Sequence, residues 1–334
     1  MQRIIPLLAA LLLAQLALAL GLNLTGPDLS AERSDAPLLA LEKTTVDRLV
    51  IEGPDEARAV LAKTNGAWLL PDSGDFPANG DKIEGLLDRL EGLERGRAVA
   101  TSEEALVRFK VSDEDFERRI TFAAGDQTLA TLYLGTSPGR GRVHARTAEQ
   151  DAVYAVDLAT YEVPADAADW EDKTVLQIPK GEIESIAVAG LRMAQVPTEK
   201  EKVNEDETAE DRAAAGGSPK EEPSAGDDAA GAGDAAGPSW TATGLAAGER
   251  LKPDAAAELA RLLAGLRIGS VLGREEKPEY GLDKPALSLS LTRKDGDEVT
   301  YRLGKRTEEE GYVLKVSTRP EYFALPAFAA ERLI

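Results

Sequence analysis

Cysteine is absent from the 334 residues, histidine occurs once, and aromatic residues make up only 5%. Without cysteine the chain has no disulfide, no thiolate metal ligand, no cysteine nucleophile and no bacterial lipid attachment through a cysteine. A single histidine, His144, excludes a two-histidine metal site within one chain and undercuts any Ser-His-Asp arrangement. Basic residues are scarce as well: 39 Lys and Arg face 59 Asp and Glu, a formal charge of −20. Phosphate backbones attract clustered cations, so this balance excludes nucleic acid as a partner. Hydrophobic residues, at 43%, suffice for a buried core in roughly one to three domains.

Charge is missing altogether between Ile4 and Pro27, and within Ile4–Leu22 only Pro6, Gln15 and Gly21 fall outside Ala, Leu and Ile. As a helix that run rises about 28 Å, close to the roughly 30 Å hydrocarbon core of a bilayer. Residues 1–27 therefore read as a membrane anchor, or as a signal segment cut after Ala17-Leu18-Ala19. The run exceeds the usual h-region length, which favours the anchor. Arg3 precedes it, and Asp28, Glu32 and Asp35 follow with only Arg33 opposing. The positive-inside rule then places the bulk of the chain outside, as a single-pass protein of a bacterial inner membrane with a periplasmic body.

The body reads as a duplication. Val46–Ile51 has a counterpart in Ile183–Val188, and Gly66-Ala67-Trp68 in Pro238-Ser239-Trp240. Counted from Asp81 and from Asp254, Leu recurs at the same offsets, as Leu86, Leu90, Leu93 and Leu259, Leu263, Leu266. Gly does likewise, as Gly92, Gly96 and Gly265, Gly269. Phe109-Lys110-Val111-Ser112 aligns with Tyr280-Gly281-Leu282-Asp283, and Thr131–Gly135 with Thr300–Gly304. Each copy predicts one amphipathic helix, the first with its stripe at Ile83, Leu86, Leu87, Leu90 and Leu93, among short strands. Leu287, Leu289 and Leu291 alternate with Ser288, Ser290 and Thr292, the period of a strand with one wet face. Asn65-Gly66 and Asp295-Gly296 predict type I′ hairpins. The expected fold class is α+β: two tandem copies of an antiparallel-sheet-plus-helix unit, at 41–180 and 181–334, after an N-terminal transmembrane helix.

The second copy is interrupted at 197–238. Between Glu199 and Ser239 there are 12 acids and 4 bases, with Val203 the one apolar residue larger than Ala. Such a stretch buries too little to offset its ordering entropy and is expected to be a disordered acidic loop. It falls where Asn65-Gly66 stands in the first copy, so it reads as an expanded hairpin loop and not as an interdomain linker, with the boundary near Pro179-Lys180-Gly181. A proteolytic cut in it is then expected to leave the halves associated.

These features resemble the bacterial family catalogued as domain of unknown function 4340. The resemblance rests on Trp68 after a hairpin, the helix Asp81–Leu93, Tyr280-Gly281-Leu282-Asp283-Lys284-Pro285, Leu-Gly turns at Gly135 and Gly304, and Trp170–Leu176 running into Ile183–Val188. It implies a membrane helix followed by an extracytoplasmic α+β region, no catalytic residues to carry over, and an accessory role at an ABC-type transporter. The first copy lacks the family's glycine at Lys110, which puts a tight turn there in doubt.

No catalytic, cofactor or metal site is expected. The contacts nearest to chemistry are Arg140 and Arg142, in the Gly-rich segment Gly135–Arg142, with His144 beyond it in a strand-like run. That segment lacks the ending of a P-loop and reads as a hairpin loop with an anion or headgroup contact as the alternative. His144 reads as a sheet-surface residue. Trp68 and Trp240, at matching places in the two copies, read as core beneath each hairpin or as ligand-stacking residues. Close acid pairs such as Asp113/Asp115 and Asp169/Asp172 read as solvated. The expected function is a membrane-anchored extracytoplasmic interaction protein that works with transporter subunits. The alternative is a module that binds a glycan or lipid in the inter-domain cleft, and a hydrolase is a remote third.

Overall fold

A computed structural model describes residues 36–179, 181–196, 239–307 and 310–334. The Ile4–Leu22 run and the 197–238 acidic tract lie outside the described residues. Among those that are described, no helix is long and apolar enough to cross a membrane.

The first sheet comprises β1 (Arg48–Glu52), β2 (Arg58–Thr64), β3 (Ala67–Leu70), β4 (Phe76–Pro77), β5 (Arg118–Ala124), β6 (Gln127–Leu134), β7 (Val143–Thr147) and β8 (Tyr154–Val156). Helices α1 (Gly80–Glu91) and α2 (Glu103–Arg108) lie in the connection from β4 to β5. The second sheet comprises β9 (Ile183–Val188), β10 (Leu191–Gln195), β11 (Trp240–Thr243), β12 (Ser270–Val271), β13 (Leu287–Arg293), β14 (Glu298–Lys305), β15 (Tyr312–Val316) and β16 (Tyr322–Leu325). Helix α3 (Pro253–Ala264) follows β11, and α4 (Ala327–Leu333) follows β16. The strand orders are β4-β3-β2-β1-β5-β6-β7-β8 and β11-β10-β9-β13-β14-β15-β16-β12. Setting aside β4 and β12, one connection order is used twice, with a twelve-residue helix at the same step in each sheet. The coarse expectation of antiparallel sheets with few helices therefore stands. By compactness, residues up to Gly66 join Asp81–Asp166 in one unit, while Ala67–Gly80 joins Ala167–Ile334 in the other.

Local chemistry explains the turns. Asn65 (φ 51°) and Gly66 (φ 84°) are both left-handed, as a two-residue type I′ hairpin requires. Asp295-Gly296 departs from expectation, since Gly296 is left-handed (φ 89°) but Asp295 is not. Gly296 N–H donates to the Arg293 carbonyl (3.0 Å) and Arg293 N–H to the Asp297 carbonyl (2.9 Å), a type I turn with a glycine bulge. The Asp295 carboxylate accepts from Asp297 N–H at 3.0 Å, a local Asx-type bond within this turn. On either side of 197–238, β10 and β11 pair antiparallel with Gln195 opposite Trp240.

Gly135 and Gly304 are not turn residues. Gly304 lies within β14, and Gly135 directly follows β6. A Cβ on Gly135 would stand 1.9 Å from the Phe109 carbonyl oxygen, and one on Gly304 2.1 Å from that of Tyr280. Each glycine lets the Phe109–Ser112 or Tyr280–Asp283 segment cross the sheet at backbone contact distance. The tight turn survives the missing glycine, because Lys110 takes φ 54° where Gly281 takes φ 66°. Beside each segment a small core cluster forms, Val111 with Tyr133 and Val153, and Tyr280 with Leu282, Val313 and Tyr322.

Candidate functional site

Strand β7 is buried at all five positions, because both its faces are covered. His144 is therefore not a sheet-surface residue: it is 7% exposed, with its ring 4.2 Å from that of Phe109. Its Nδ1 lies 2.8 Å from the Thr136 carbonyl and 3.0 Å from the Thr136 hydroxyl, so Nδ1–H donates to the backbone. Burial pushes the imidazole pKa below its ordinary value, against the raising effect of the Thr136 bond. The Thr136 backbone bond engages Nδ1 and fixes the ring against the loop from β6 to β7.

Arg140 sits left-handed (φ 59°) and exposed in the loop from β6 to β7. Arg142, two residues on, reaches Asp157 at 3.2 Å and the Ala155 carbonyl. It lines an open groove of about 910 Å³ with Arg89 and Arg97, opposite Asp88, Glu94 and Asp157. Arg89 pairs with Glu162 at 3.0 Å. The groove thus presents cations matched by carboxylates, a polar surface without a net positive focus. The structure does not bring His144 or Arg140 into it.

Polar groups inside the first unit are likewise partnered. Arg119 makes a bidentate pair with Glu52 (2.6 and 2.8 Å), which holds that carboxyl below its ordinary pKa. Arg146, buried beneath Tyr133 at 4.4 Å, donates to the Val111 carbonyl at 2.6 Å and to Asp113. Asp113 is therefore not merely solvated: the Arg146 bond lowers its pKa, while desolvation and Asp113 raise that of Tyr133.

Sequence reasoning missed two buried carboxylates in the second unit. Glu171 and Glu321 line one pocket of about 480 Å³ together with Arg274 and Lys277. Glu171 accepts from Lys173 Nζ (2.6 Å) and Val271 N–H (3.2 Å), and Glu321 from Arg274 at 3.0 Å. One signal was available: each acid abuts a buried aromatic, Trp170 or Tyr322. Each carboxylate faces its own cation, while the second Glu321 oxygen, Oε2, is buried without a hydrogen-bond partner. Among the described residues no cluster of three or more His, Asp or Glu is placed to hold a metal.

Trp68 (β3) and Trp240 (β11) are both buried, at 3% and 6% exposure. They differ in company. Trp68 has an interaction partner, but the Trp240 indole Nε1 is buried with no hydrogen-bond partner. Trp240 lines a cavity of about 450 Å³ within the second unit. Ile178, Ile183, Ala257, Ala260 and Ala264 supply its apolar wall, and Gln177, Gln195 and Arg261 are its polar members. Its size falls in the about 300–1,000 Å³ range of small-molecule sites, and a mostly apolar wall with a few polar groups is their usual make-up.

Two eight-stranded antiparallel sheets with few helices, paired internal charges and an apolar cavity at Trp240 describe the class of protein. The chain belongs to the family described as Domain of unknown function (DUF4340), whose model matches residues 68–285. No curated protein and no solved structure matches it.

Proposed function

We propose that the chain is a membrane-anchored, extracytoplasmic interaction protein of a bacterial inner membrane, acting as an accessory subunit beside an ABC-type transporter. Its body is built from two tandem copies of one sheet-and-helix unit. The observation that carries this reading is the charge-free Ile4–Leu22 run, with Arg3 before it and acids after it. An apolar segment of that length partitions into a bilayer, and the flanking charge sets its direction. The ion pairs at Glu52, Arg146, Glu171 and Glu321 tie the strands and loops of the body together, the rigid scaffold that an interaction surface needs.

Crosslinking in intact membranes followed by mass spectrometry tests it. Integral transporter subunits recovered with the full-length chain are the expected result. Repeated recovery of the chain alone from membranes would contradict the accessory role.

A second reading, a ligand-binding module, is favoured by the cavity at Trp240. Its alanine- and isoleucine-rich wall suits a lipid better than a glycan, whose hydroxyls demand many more polar partners.

A further inference from the structure

The two sheets share one strand order but end differently beside β3 and its counterpart β11. In the first sheet β4 covers the outer edge of β3. Leu70 lies opposite Phe76, Leu69 opposite Pro77, and the Trp68 carbonyl accepts Ala78 N–H at 2.9 Å. Phe76 and Ala78, on the face that carries Trp68 and Leu70, are buried. In the second sheet the order stops at β11, where Trp240 and Ala242 take the places of Trp68 and Leu70. The connection to the helix has nine residues in each case, 71–79 and 244–252. Counted back from α1 and α3, Glu249, Arg250 and Leu251 stand where Phe76, Pro77 and Ala78 stand. A glutamate in the place of a buried phenylalanine does not close the edge. Glu249 instead caps its own exposed loop, its carboxylate accepting from Ala246 N–H at 2.9 Å.

We infer that the open edge of β11 pairs with the same strand of a second copy of this chain, antiparallel and about a two-fold axis at Thr241. Backbone alternation puts two donors and two acceptors on that edge. Val196 N–H donates to the Ser239 carbonyl (2.8 Å), so Thr241 and Thr243 also face β10, while Trp240 and Ala242 turn their N–H and C=O outward. Among the described residues no strand or loop bonds to these four groups. Nor does Thr241-Ala242-Thr243 carry the lysine, proline or bulge that guards an exposed edge. The side chains select the occupant. In the first sheet the covering strand reads aromatic–x–Ala, as Phe76-Pro77-Ala78, with the aromatic opposite Leu70 and the alanine opposite Trp68. Trp240-Thr241-Ala242 has the same pattern. In that register a second β11 sets its tryptophan opposite Ala242 and its alanine opposite Trp240, and every outward N–H and C=O of both strands is bonded. Thr241 then meets its own mate on the exposed face, a β-branched cross-strand pair.

The chain has no cysteine, so Thr241→Cys introduces a unique reporter. The test oxidises intact membranes that hold this full-length variant with copper phenanthroline and resolves the products without reductant. Directly opposed residues of a non-hydrogen-bonded pair have Cα atoms about 4.5 Å apart, within disulfide reach, so a covalent dimer is expected. Thr243→Cys is also exposed, but its mate would stand four residues away along the strand, about 13 Å. It should give at least about tenfold less dimer. Thr241→Lys sets like charges face to face on the axis. By light scattering of the full-length chain in detergent, it should raise the monomer–dimer midpoint about tenfold or more with an unchanged melting temperature. Should Thr241→Lys fold poorly, the two cysteine variants decide alone. Four results would each overturn the assignment: equal dimer from both cysteine variants, no dimer from either, a mixed disulfide with another protein in place of the self-linked product, or a midpoint that Thr241→Lys leaves unchanged. None of these outcomes involves a transporter subunit, so failure here leaves the accessory role standing.

Discussion

At Gly304 the sequence shows only a Leu-Gly pair, easily taken for a turn, whereas the structure gives it a steric task. Its missing Cβ admits the Tyr280 carbonyl at backbone contact distance. Gly304→Ala is expected to destabilise the chain by on the order of 3 kcal/mol, because backbone atoms on both sides must shift. Chemical denaturation would show this as a lower midpoint at similar slope. His144 makes a separate prediction. Burial lowers its folded pKa, and the unfolded chain titrates near about 6.5. Below that pH the unfolded state binds more protons, so stability falls as pH drops through about 6.5 toward the folded value and then levels off. His144→Phe should remove this component, which is at most about 1.4 kcal/mol per pH unit, and flatten the unfolding free energy between pH 7 and 5. The lowered carboxyls of Glu52 and Asp113 act in a lower window: their stabilisation is present above about pH 4 and lost as pH falls through their folded values.

The elements were the most legible part of the sequence. The stripe Ile83, Leu86, Leu87, Leu90 gave α1, and the alternation from Leu287 gave β13, because burial imposes a period that single residues cannot hide. What stayed hidden was tertiary. Nothing local marks β7 as covered on both faces, nothing in Asp295-Gly296 separates a type I turn with a bulge from type I′, and neither Glu171 nor Glu321 announces its cation. Ala260 stands in α3 at the offset that Leu87 takes in α1, and only the structure shows that it lines the cavity beside Trp240. The two helices therefore make opposite predictions. Leu87→Ala should cost about 3 kcal/mol as a cavity opens in a filled core. Ala260→Leu should gain about 1 kcal/mol by occupying one that exists. Thermal unfolding of both variants checks the pair, and a loss at both positions would show that α3 is already well packed.

At the scale of the whole molecule, one order of strands and helix is used twice, and the family match spans parts of both sheets. That repeated order has a counterpart in the sequence, where Leu86, Leu90 and Leu93 recur at the offsets of Leu259, Leu263 and Leu266. The functional site was legible only in part: Trp240 and Arg142 were singled out from sequence and both line cavities, while Arg140 and His144 line neither of these. The account of function rests on which side of a membrane this body occupies. Paired reporters fused after Ile334 of the full-length chain measure that directly in living cells. The account predicts an active alkaline phosphatase fusion and a dark green fluorescent protein fusion. A fluorescent fusion with an inactive phosphatase would put the body in the cytoplasm and contradict it.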